Sequence, residues 1–114
     1  MPYNKELETK IEDIIINWPN MGKRVMFGGV CYMLKGNLCF GIIKDYLIVR
    51  LGREKTEEKL KLDNVLSFDV TGRPMKAWVM VGKNGYQTEE QLRDWLKAGW
   101  DFTGTLPPKL KASY

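Results

Sequence analysis

Between Arg24 and Leu51 the chain passes through three stretches rich in Val, Ile, Phe, Tyr and Leu, at 24–34, 38–43 and 46–51. Only Lys35-Gly36-Asn37 and Lys44-Asp45 interrupt them. Breaks this short cannot carry a crossover, so strands joined this way must lie antiparallel. The centre of the protein is therefore a β-meander, and everything else has to pack around it. Gly28-Gly29, inside the first stretch, reads as a bulge or a close backbone approach within one strand. A second pair of strand-like runs, 66–70 and 75–81, is joined through Thr71-Gly72-Arg73-Pro74. There Gly72 supplies backbone freedom, Pro74 pushes Arg73 towards an extended conformation, and Thr71 can hydrogen-bond the turn locally.

Helical spacing appears on both sides of these strands. Over residues 4–17, Asn4 suits the N-cap and Glu6 and Glu8 suit the positive end of the helix dipole. Leu7, Ile11, Ile14, Ile15 and Trp18 form one buried stripe, and Pro19 closes the element. Residues 53–62 read as a short charged helix. Thr88-Glu89-Glu90-Gln91 is a capping box opening a helix on which Leu92, Trp95, Leu96 and Gly99 share a face. Leu106-Pro107-Pro108 ends it, and residues 110–114 read as a flexible tail. The order α-βββ-α-ββ-α makes a two-layer α+β fold with an antiparallel sheet. At 114 residues the chain fits one domain, here 1–109, able to bury about two thirds of its unfolded surface.

Both faces of the expected sheet are apolar. If Ala77, Val79 and Val81 face the helices, Trp78 and Met80 face away beside Lys76. Met26, Val30 and Tyr32 likewise alternate against Phe27, Cys31 and Met33. An antiparallel sheet with one solvated face should alternate more cleanly. Either the three helices pack across both faces, which is the preferred reading, or another molecule covers one. Met26, Tyr32, Trp78 and Met80 are the candidate partner or dimer face, so a protein partner, including a second copy, is expected.

Chemistry is narrowly bounded. The chain has no histidine, which removes the commonest general base near neutral pH, the Ser-His and Cys-His pairs, and histidine metal sites. No P-loop, GxSxG elbow or EF-hand loop is present, and two cysteines without histidine give no zinc spacing. If Lys35-Gly36-Asn37 closes the hairpin, Cys31 and Cys39 sit diagonally, beyond disulfide reach; if Gly36-Asn37 does, they face apart. Either register leaves free thiols, as a reducing compartment would. Cys39 reads as a buried structural cysteine, and Asp45 and Asp69 as turn residues. No enzyme activity, no cofactor and no metal are expected.

A net charge of +4 is compatible with an acidic partner or nucleic acid, but the charges are mixed along the chain and read first as a solvated surface. Arg73 and Lys76 mark a candidate anion or nucleic-acid site at the hairpin corner, joined by Arg24 and Arg50 if the strands bring them near. Tyr32 or Trp78 could stack bases there. Ordinary hairpin chemistry is the preferred account of the corner. No apolar run approaches the ~20 residues that span a bilayer, and the polar N-terminus is not a secretory signal, so the chain is expected in the cytoplasm.

Four strings together resemble the TfoX (Sxy) N-terminal domain: Arg24-Val25-Met26-Phe27-Gly28-Gly29, Gly36-Asn37-Leu38-Cys39, Asp45-Tyr46-Leu47-Ile48-Val49-Arg50-Leu51-Gly52, and Phe68-Asp69-Val70-Thr71-Gly72-Arg73-Pro74-Met75-Lys76. Leu92-Arg93-Asp94-Trp95-Leu96 and Leu106-Pro107-Pro108-Lys109 follow in the family's order. Ala77 stands where the family commonly has Gly, and Phe40 where a second Cys is frequent. The resemblance implies a fold similar to type III secretion chaperones and YjbR-like proteins. It also implies kinship with regulators of bacterial natural competence that act beside the cyclic-AMP receptor protein at promoters. Full-length regulators carry a further helical domain, so this chain is expected to be a stand-alone member.

Overall fold

Strand pairing decides the architecture. A computed structural model describes residues 3–26, 28–69, 72 and 74–109. In chain order the elements are α1 (Lys5–Ile15), β1 (Met21–Met26), β2 (Gly29–Leu34), β3 (Asn37–Ile43), β4 (Tyr46–Arg50), α2 (Arg53–Lys59), β5 (Val65–Asp69), β6 (Pro74–Val81) and α3 (Glu89–Thr103). One short 3-10 turn, Lys83–Gly85, precedes α3. Among the described residues the strands form one antiparallel six-stranded sheet in the order β1-β2-β3-β4-β6-β5. The α+β class expected from the sequence is the one observed.

The stretch 24–34 differs from expectation. It is two strands, because β1 and β2 pair antiparallel from Met26↔Gly29 outward to Met21↔Leu34. The Gly-Gly pair thus marks a hairpin rather than a bulge, with Gly28 at φ 73 in the left-handed region that a tight reversal demands. The next reversal is the two-residue turn Lys35-Gly36, both at positive φ, with Leu34 opposite Asn37, so neither expected register is adopted. A bulge opposite Tyr32 and Met33 leaves Cys39 as the extra residue of β3. Cys31 and Cys39 are free thiols.

Both long helices are set by their caps. The Asn4 side chain accepts from the Leu7 backbone N–H at 2.9 Å. Thr88 and Gln91 complete the capping box, at 3.0 and 3.1 Å. From there α1 buries Leu7, Ile11, Ile14 and Ile15, and α3 buries Leu92, Leu96, Gly99 and Thr103. They pack on Val30, Tyr32, Phe40, Ile42, Leu47, Val49, Val79 and Val81 of the sheet. Each such side chain contributes about 1.5–3 kcal/mol on burial. Trp18 and Trp100 meet edge to face at 5.6 Å, tying the end of α1 to α3. The short α2 lies beside β6, its Lys59 Nζ 5.9 Å from the centre of the α3 Trp95 ring. The two long helices therefore share one face, and are not divided between both as expected, while Arg53, Thr56, Glu57 and Leu60, on and just after α2, line a depression with Trp78.

Tyr32 belongs to that core. It is 2% exposed, its ring 5.7 Å from Phe40, and its hydroxyl donates to Glu12 Oε2 at 2.8 Å. Lys23 of β1 bridges Glu12 and Glu8, the latter at 2.9 Å, and the Tyr3 hydroxyl donates to Glu8 at 3.0 Å. This polar cluster fastens the edge strand β1 to α1. Tyr32 is accordingly not part of a partner face, a correction to the expectation from the sequence.

Candidate functional site: the uncovered sheet face

Residues paired across antiparallel strands point to the same side, so the register lays out the opposite face row by row. One row crosses all six strands: Arg24, Cys31, Gly41, Ile48, Met80 and Leu66. Beside it lie Met33 opposite Leu38, and Arg50 opposite Trp78. Phe68 packs on Trp78 with ring centres 6.0 Å apart. Ile48 is buried within this face yet does not join the core under the helices, while Leu66 stays 50% exposed. Met26, Met33, Trp78 and Met80 are half-buried.

Arg50 is the electrostatic centre of the face. Its guanidinium lies 5.5 Å from the Trp78 ring centre, and Nη1 donates to the Leu38 carbonyl at 3.2 Å. Its Nε is buried with no hydrogen-bond partner among the described residues. No carboxylate pairs with it there, although Lys23, Lys83, Arg93 and Lys97 all meet acidic partners. Arg50 and Arg24 line one groove of about 500 Å³, floored by Met26, Met33 and Leu38. The chain beyond α3 forms its wall. The Lys109 backbone N–H donates to the Lys35 carbonyl at 2.9 Å, and Asn37 Nδ2 donates to the Pro107 carbonyl at 2.9 Å.

The four cations expected to converge do so only in part. Arg24 and Arg50 share the groove; Lys76 is exposed and lines a separate depression with Arg53, Leu60 and Trp78. Thr71 and Arg73 lie outside the described residues, and with them the hairpin corner as a site. Of the four residues assigned to a partner face, Met26, Trp78 and Met80 share the uncovered face. Cys31, Met33, Leu38, Ile48, Leu66 and Phe68 belong to it as well, and only the register, not the periodicity, reveals them. Lys109 and Pro107 join the groove through the path of the C-terminal segment, which no sequence signal announces.

Neither thiol is activated. Burial pushes Cys39 up to about 12, and burial raises Cys31 too. Among the described residues no three or more His, Cys, Asp or Glu side chains gather where they could hold a metal. Likewise no helix there is long and apolar enough to cross a membrane.

These features define a small α+β domain with its two long helices on one sheet face and an apolar, arginine-marked surface on the other. The profile of the TfoX N-terminal domain matches residues 13–103, and the chain belongs to that family. No curated protein and no solved structure matches it.

Proposed function

We propose that the domain is a non-catalytic protein-interaction module that binds its partner through the uncovered sheet face. The observation carrying this reading is the row from Arg24 to Leu66: six strands wide, apolar at Cys31, Ile48, Met80 and Leu66, and on the side away from the core under α1 and α3. Apolar surface of that continuity normally marks an interaction site. The lack of histidine and the raised thiols support a role without catalysis. The family resemblance supports reading the module as a part of cytoplasmic transcriptional or competence regulation, with a second copy or a transcription regulator such as the cyclic-AMP receptor protein as the proposed partner. Affinity capture from host lysate, with and without nuclease, tests this against a Met80→Glu variant. The partner should persist through nuclease treatment and be lost from Met80→Glu. Equal recovery by both proteins refutes the proposal.

A second reading, a small nucleic-acid or anion binder, is favoured by Arg24 and Arg50 lining one groove with Trp78 beside them. With Lys109 as the third cation lining that groove, log K for single strands should fall with log salt at a slope of only about −2.1. Capture that vanishes with nuclease selects this reading.

A further inference from the structure

We infer that the groove between Arg24 and Arg50 receives an acidic side chain borne on an apolar segment of a partner protein. The carboxylate sits against the Arg50 guanidinium in the groove that Arg24 also lines, and a neighbouring aliphatic side chain lies on the thioethers of Met26 and Met33. This rests on the interaction-module reading and specifies its partner's chemistry.

Arg50 is the first reason. A half-buried guanidinium has surrendered part of its hydration, and here no carboxylate among the described residues replaces it. Of its donors, Nη1 bonds one carbonyl and the buried Nε bonds nothing. A cation held this way gains most from an anion that brings charge-assisted hydrogen bonds. The groove is the second reason, since about 500 Å³ accommodates a carboxylate together with an adjoining aliphatic side chain. Its methionine floor is the third: unbranched thioethers adapt to differently shaped apolar side chains.

Other occupants fit less well. A second copy meeting this face about a two-fold axis through the groove brings arginine towards arginine. A nucleic-acid strand needs cations along its track. The row leading from Arg24 instead runs through Cys31, Gly41, Ile48 and Met80 without another charge.

Random peptide display on the immobilised protein tests the inference. Enriched peptides should carry Asp or Glu beside Leu, Ile, Met or Phe. A fluorescein-labelled enriched peptide should weaken about tenfold or more on Arg50→Glu and on Arg24→Glu. Replacing its acid with the amide should weaken it similarly. Arg24 is exposed on an edge strand, so that variant keeps the test valid where Arg50→Glu misfolds by circular dichroism. Absence of any enriched peptide, enrichment without acids, or affinity indifferent to Arg24→Glu overturns the inference. So does tighter binding of a thymidine oligonucleotide through the same arginines. A partner lost on Met80→Glu but retained by both arginine variants leaves the interaction module standing and sinks this inference alone.

Discussion

Replacing Tyr32 separates a core residue from a surface one. The side chain is 2% exposed, stacks obliquely on Phe40 and bonds Glu12. Tyr32→Ala empties most of an aromatic volume beneath α1, a change that costs about 3–5 kcal/mol in packed cores. That is from about a fifth to all of the stability of an ordinary small domain, about 5–15 kcal/mol. Tyr32→Phe removes only the hydroxyl. Glu12 remains 43% exposed and keeps Lys23, so no buried charge is stranded and the loss should be about 1 kcal/mol. In melting temperature these are drops of about 12–20 °C and about 4 °C. Met80→Ala, on the uncovered face, should cost clearly less than Tyr32→Ala. Urea unfolding followed by tryptophan fluorescence measures all three. If Tyr32→Ala stays within about 0.5 kcal/mol of wild type while partner binding is lost, Tyr32 is a surface contact and the placement of the core is wrong.

Two further outcomes are expected. The hydrogen bond from Lys23 holds the Glu8 carboxyl below its ordinary value of 4.5, opposed by burial and aided by Tyr3. A carboxyl depressed by folding stabilises the native state above its unfolded value and loses that contribution as pH falls through the folded value. Stability should therefore drop below about pH 4.5, and Glu8→Gln should flatten that limb; an unchanged acid limb contradicts the cluster. With both thiols raised by burial, Ellman's reagent at mildly alkaline pH should label native Cys31 slowly and Cys39 only after unfolding. Rapid native labelling of Cys39 would contradict its placement.

The elements visible in the sequence are those written in local chemistry. Asn4, the Thr88–Gln91 box and the spacing of Leu7, Ile11, Ile14 and Ile15 specify α1 and α3 without help from the rest of the chain. What escaped was a parity. Reading 24–34 as one strand places Met26 and Tyr32 on the same side, because two residues separate one pleat from the next equivalent one. The reversal between β1 and β2 sets Met26 opposite Gly29, and this puts Tyr32 on the other side. No polar turn residue marks the reversal; the glycine pair was the signal. The groove was illegible for a different reason. Arg24 and Arg50 are 26 positions apart, and only the register and the C-terminal path through Lys109 bring them to one cavity.

Photocrosslinking from inside the cell tests the uncovered face most directly. A benzoyl-phenylalanine placed at Met80 should form a nuclease-resistant adduct with a partner protein. The same group at Ile16, 75% exposed at the end of α1, should not. An adduct from Met80 alone is the expected result. Adducts from Ile16 alone, or from neither position, would contradict the assignment of this face to partner binding.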